Sequence, residues 1–156
     1  MITITRITAP NDTVRALIGE LDAVLAAEYP PDQRHGLALD AIFAPHMRLF
    51  VASLNGAPVG CGAVALFGDF GEVKRMYVRD TARGQGVAQA ILARLEGETR
   101  AAGLAMLRLE TGTVQYAAMR LYERAGFKVC GRFGDYLTKP PETLTTSVFY
   151  EKSLEL

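Results

Sequence analysis

Arg83, Gly84 and Gly86 stand in "VRDTARGQGVAQAIL", residues 78 to 92, between a short apolar run and a long amphipathic one. Glycines at a strand-to-helix junction let the backbone turn tightly and let a ligand approach where a Cβ would obstruct it. The N–H groups of Gly84, Gln85, Gly86, Val87 and Ala88 then converge on one spot. The helix behind them contributes roughly half a positive charge, and Arg83 adds a full one beside it. Such a spot favours a phosphate or pyrophosphate. A turn capped by a solvated arginine is the alternative, because short glycine motifs often occur without function.

The type of phosphate ligand narrows by elimination. A nucleotide-triphosphate loop requires Gly-x4-Gly-Lys-Ser/Thr, which the chain lacks. A dinucleotide turn would carry a third Gly or Ala where Gln89 stands, and would follow the first strand of a βαβ unit. Neither condition is met.

The elements that must position this turn follow from periodicity. "MITITRIT" alternates as a half-buried strand does. From Asp12 to about Glu28, Val14, Leu17, Ile18, Leu21 and Leu25 recur at helical spacing, and Pro30-Pro31 stops the helix. A second, shorter helix is expected over Leu37 to Phe43. Asn55-Gly56, between two strand-like runs, predicts a tight hairpin turn. "GEVKRMYV" is a strand leading into the glycine turn. Val87, Ile91, Leu92 and Leu95 then mark one helix face, with Gly103 as its C-terminal cap. "LAMLRLE" is a strand, 115 to 125 a helix closed by Gly126, and "FKVCGRF" and "TTSVFYEKSL" are strands separated by the loop "GDYLTKPPETL". The predicted order is β-α-α-β-β-β-α-β-α-β-β, an α/β mixed sheet with helices on both faces.

Composition sets the outer limits. The chain has 156 residues, 49% of them hydrophobic, which fits one domain spanning 1–156 with a substantial core. Seventeen Lys and Arg balance seventeen Asp and Glu, so the overall positive field that nucleic-acid binding relies on is absent. No apolar run approaches the roughly 20 residues of a membrane span, and the first residues lack the pattern of a signal peptide. A cytoplasmic protein with a small partner is expected. Cys61 and Cys130 are too few and too far apart for a zinc pattern and read as buried thiols, and no metal is expected.

The pattern Arg-x-x-Gly-x-Ala, after a strand and opening a helix, resembles the acyl-CoA loop of the GNAT superfamily of N-acetyltransferases. "AAMRLYERAGF", residues 117 to 127, resembles that superfamily's later motif, a helix carrying Leu-Tyr that ends in Gly-Phe before a strand. The order of elements matches as well. The first 60 or so residues share it through pattern alone.

The resemblance implies acetyl-CoA as cosubstrate, lying in a V-shaped opening between two parallel strands. Met76, Tyr77 and Val78 would run along the pantetheine arm, with Met76 and Val78 offering backbone groups, and Arg83 to Ala88 would hold the pyrophosphate. Gln115 stands where the later motif often has a cofactor-contacting asparagine; its amide offers the same donor and acceptor on a longer stem. Tyr122 would give a proton to the departing thiolate. Glu72 matches the base of the superfamily's histone acetyltransferases, and Glu110 the glutamate of its ribosomal-protein N-terminal acetyltransferases. Each is otherwise a solvated carboxylate at a strand end. An amine of pKa about 10.4 is on the order of one part in a thousand neutral at about pH 7, whereas an α-amine is about a tenth neutral. The need for a base therefore depends on the acceptor. Family habit also implies a homodimer.

Other residues border the expected acceptor site. His35 lies in the connection after the first helix and reads as an exposed loop histidine. Arg34 and Arg75 are candidates to recognise a carboxylate bidentately, against solvation or an ion pair. Tyr136 and Lys139 lie in the last long loop, which is placed to cover the acceptor. Met106 and Met119 read as core. The reading favoured is transfer of acetyl from acetyl-CoA to the primary amine of a small metabolite or amino-acid-like acceptor, by direct attack in a ternary complex. The alternatives are acetylation of a protein N-terminus or lysine, and a CoA-binding module without transfer.

Overall fold

Seven strands form a single mixed sheet in a computed structural model that describes residues 1–156. In chain order the elements are β1 (Ile2–Ile7), α1 (Asp12–Glu28), β2 (Met47–Leu54), β3 (Ala57–Leu66), β4 (Gly71–Val78), α2 (Val87–Ala101), β5 (Met106–Gly112), α3 (Tyr116–Arg124), β6 (Lys128–Cys130) and β7 (Ser147–Ser153). The strands lie in the order β1-β2-β3-β4-β5-β7-β6, and only β4 and β5 run parallel. This is the expected α/β mixed sheet with one difference. Residues 37–43 form no α-helix: Asp40–Phe43 winds as a single 3₁₀ turn, with another at Pro31–Gln33. A segment this short, ended by Pro45, cannot offset the cost of nucleating an α-helix.

The helices form where caps and stripes direct. Asn11 caps α1 by accepting from the Val14 N–H at 2.8 Å, and Val14, Leu17, Ile18 and Leu21 bury one face against β3 and β4. On the other side of the sheet, Val87, Ile91, Leu92 and Leu95 of α2 pack with Phe50, Val64, Val73, Leu107 and Leu109. Asn55 and Gly56 take φ of 51° and 88°, the left-handed pair that a tight hairpin requires. A third cluster of Phe70, Phe133, Tyr136, Leu144 and Phe149 seats the loop between β6 and β7.

Two features of β4 open the sheet. Its pairing with β5 covers only Gly71 to Val73, opposite Leu107 to Leu109, and then stops. Just beyond, β4 bulges: Ala63 faces Lys74 while Cys61 faces Tyr77, so β4 uses one more residue than β3 over the same span. Arg75 sits in that bulge with φ of 54°. A bulge bends its strand, and here β4 parts from β5 with backbone groups on its β5 side unpaired.

Candidate active site

The parting of β4 and β5 is continuous with a groove of about 580 Å³. Met76, Tyr77, Val78, Arg83, Gly84, Gly86, Val87 and Ala88 all line it, joined by Gln115 and Tyr122 from the far side. Gly84 and Gly86 have φ of 77° and 82°, which an L side chain adopts only under strain, and both face open space. Gly86 is the N-cap of α2 and carries no capping side chain, so the first N–H groups of the helix stay available. Val87 is buried and offers only its backbone there. Arg83 is exposed at the rim and pairs with Asp80 at 3.0 Å. Gln85 lies outside the groove, with its amide turned back to the Thr81 carbonyl. Gln115 donates to Glu28 at the end of α1. The exposed apolar residues Val24, Val114 and Tyr116 line the rest. A cationic N–H nest, an unpaired strand edge and an apolar wall fit a long ligand with a phosphate end, such as CoA.

A second cavity, of about 120 Å³, lies on the α1 side of the sheet, and Leu21, Met76, Gln115, Ala118 and Tyr122 line both spaces. Tyr122 therefore stands where they meet. Its ring packs against Phe127 and Tyr150, and its hydroxyl has no hydrogen bond within the protein. Burial, and then the Glu110 charge, push this phenol above its ordinary value, so it stays protonated and is a weaker acid than in water.

Glu72 and Glu110 both line the smaller cavity, and neither is a freely solvated strand-end carboxylate. Glu72 is buried; its Oε2 accepts from the Tyr136 hydroxyl at 2.8 Å and lies 3.2 Å from Lys74 Nζ. Glu110 accepts from Ser147 Oγ at 2.7 Å. Burial raises the Glu110 carboxyl above its usual range; the Ser147 bond and the Lys74 charge oppose this, and the Glu72 charge adds to it. A carboxylate shifted upward in this way is a stronger base.

The outer wall is a strap between two loops. Gln33 donates to the Glu142 carbonyl at 2.6 Å and accepts from Thr146 Oγ1 at 3.1 Å. His35 is half-buried, not exposed as expected, and bridges the same loops. Its Nδ1 lies 3.1 Å from Lys139 Nζ and its Nε2 2.7 Å from the Thr143 carbonyl. An ammonium only donates, so Nδ1 accepts and Nε2 carries the proton. Burial pushes His35 below its ordinary value; the Thr143 bond opposes this, and the Lys139 and Lys74 charges add to it.

Arg75 is buried and paired with Asp22, while Arg34 is half-buried with no carboxylate partner. Met106 and Met119 pack against core clusters. Cys61 is buried and pushed up to about 12 by burial. Cys130 is only half-buried, pushed up to about 11, first by burial.

Sequence reasoning missed Lys74, Gln33, Asp22 and Tyr29, whose hydroxyl accepts from the Val114 N–H at 3.1 Å beside the cavity. Lys74 had a signal: two residues from Glu72 in a strand, it shares that residue's face. The other three act across elements and left none.

Known proteins match this architecture. The family model described as the acetyltransferase (GNAT) family matches residues 16–127. A protein of Azospirillum brasilense named IAA acetyltransferase is 44% identical over 155 residues, 98% of each chain. A Klebsiella pneumoniae structure, assigned to the acyl-CoA N-acyltransferases, superposes with a TM-score of 0.78 at 35% identity over 99% of both chains. The N-acetylglutamate synthase of Neisseria gonorrhoeae, solved with coenzyme A and N-acetyl-glutamate, shares the fold, with a TM-score of 0.77 at 16% identity over 100% of this chain and 36% of that one. The groove at the parted strands, the nest at α2 and the extent of these matches lead to one conclusion: the chain belongs to the GNAT family of acetyltransferases.

Proposed function

We propose that the protein acetylates the primary amine of a small metabolite or amino-acid-like acceptor, by direct attack while both substrates are bound. The observation that carries this reading is the meeting of a long groove and a small strapped cavity at Tyr122. A peptide acceptor needs an open channel, and the bonds from Gln33 and His35 to the loop at 142–146 close that side.

Acetyl-CoA, when bound, supplies an activated thioester. Arg83 and the α2 N-terminus neutralise pyrophosphate charge, and the free edge of β4 from Met76 to Val78 offers backbone hydrogen bonds. Gln115 reaches this ligand by releasing Glu28. Glu110 or Glu72 accepts the proton that the acceptor amine must lose. Tyr122 holds a proton at Oη, at the junction of the two spaces, for the departing thiolate. Its raised pKa is less of an obstacle than it would be in water, because burial in the same dry cleft raises a thiol as well.

Thiol release from acetyl-CoA, measured with a panel of small amines, IAA and short peptides, tests the reading. Small amines should react fastest. Faster turnover of peptides, turnover of IAA alone, or CoA binding with no turnover would each replace it.

A further inference from the structure

Two charged residues that line the smaller cavity, Arg34 and Glu110, have no ionic partner. Lys74 is matched by Glu72 at 3.2 Å, Arg75 by Asp22, and Lys139 lies against His35. Arg34 lines the cavity with no carboxylate partner, and its Nε is buried without a hydrogen bond. Arg75 lines the same cavity, and its Nε is likewise buried and unpartnered, because Asp22 engages only Nη2. A buried donor left without an acceptor is costly and uncommon in native proteins.

The surroundings of Arg75 are shaped to hold it there. It occupies the β4 bulge at a φ that non-glycine residues rarely adopt. A Cβ on Gly36 would lie 1.9 Å from Arg75 Nη1, so the residue that follows His35 must be glycine for the guanidinium to fit. Two arginines from separate segments thus line one cavity, Arg34 with no carboxylate partner, and the lining also includes Glu72 and Glu110. A cavity that holds one carboxylate, Glu110, and one guanidinium, Arg34, without ionic partners suits a molecule that carries both charges.

We propose that the acceptor is a compact amino acid whose carboxylate is held by Arg34, with Arg75 as a second donor, while its amine faces Glu72 and Glu110. This rests on the acetyl-transfer reading above and specifies its substrate. Arg34 is a specificity residue in this account, engaging the acceptor far from the departing sulfur.

The test compares small L-amino acids with their own carboxamides and decarboxylated amines, by thiol release and by calorimetric binding to the CoA-loaded protein. The amino acids should exceed their carboxamides in kcat/KM by about 10- to 100-fold, the range of a charge-assisted hydrogen bond. Arg34→Gln should remove most of that preference through the acceptor KM, leaving the carboxamide rates and the KM for acetyl-CoA within about twofold. Equal turnover and equal binding of acids and carboxamides by the parent would overturn the proposal while leaving acetyl transfer to amines intact. So would an Arg34→Gln variant that loses activity on acids and carboxamides alike. If no amine in any arm is bound or acetylated, the proposed function itself fails. The calorimetric comparison uses the parent protein, so it remains decisive even if the variant misfolds.

Discussion

The Tyr136 hydroxyl donates to Glu72 Oε2 at 2.8 Å and accepts from Lys74 Nζ at 3.1 Å. A residue of the loop between β6 and β7 therefore fixes a carboxylate on β4, 64 positions away in the chain. Burial, followed by the charges of Glu72 and Glu110, keeps this phenol protonated and so a permanent donor. Tyr136→Phe retains the ring that packs on Phe133 and Phe149 but removes both bonds. The variant should lose about 1–3 kcal/mol in urea unfolding, the cost of buried groups left without partners. Unchanged stability would show that Glu72 and Lys74 satisfy each other unaided.

Tyr122→Phe separates chemistry from packing. The Tyr122 hydroxyl has no partner in the protein to lose, so stability should change by less than about 1.5 kcal/mol. If Oη supplies the proton to the thiolate, kcat should fall about 10²- to 10⁴-fold with CoA affinity unchanged. Turnover within about threefold of the parent would remove Tyr122 from the mechanism.

Arg83→Ala should behave in the opposite way. The exposed pair with Asp80 contributes at most about 1 kcal/mol, so folding is unaffected. Loss of a cation beside a pyrophosphate should raise the KM for acetyl-CoA about tenfold or more and leave kcat nearly constant. The defect should shrink at high salt, where the parent's own advantage is screened. A fall in kcat with unchanged KM would contradict the placement of the pyrophosphate.

Glu110 gives a pH dependence of known sign. Its folded-state pKa is raised, first by burial, so the native protein retains this proton to higher pH than the unfolded chain. The stability it contributes is complete in acid and is lost as pH climbs from the ordinary 4.5 through the raised value. Glu110→Gln cannot ionise, so its Tm should exceed the parent's at neutral pH, and the gain should vanish towards about pH 4. Calorimetric scans across that range check this, and a gain that grows in acid would contradict it. If Glu110 is the base, the acid limb of the parent's kcat/KM profile should disappear in the same variant.

Much of this protein was legible because it is encoded locally. The glycine turn, the Asn55-Gly56 hairpin and the stripes of α1 and α2 each depend on backbone freedom or periodicity within a few residues. Such preferences act whatever the rest of the chain does, and they located the glycine turn that lines the groove; Tyr122, Gln115 and the edge from Met76 to Val78 were named through the family resemblance. Residues 37–43 do not follow their apolar spacing, because spacing alone does not make a helix of a segment too short to nucleate one.

Pairing between distant segments decided the rest. The sheet inserts β7 between β5 and β6, a choice between edges that nothing in either strand's own sequence expresses. That insertion brings Ser147 to Glu110 and seats the loop that carries Tyr136 over Glu72. The bulge that buries Arg75 is likewise a matter of register between β3 and β4, and its partner Asp22 comes from a helix 53 positions earlier. Residue types and local spacing set which side chains this chain has for chemistry. The solvation and charge of each depend on neighbours supplied by other elements, so the surroundings of Glu110, Arg34 and His35 took shape only in the folded structure.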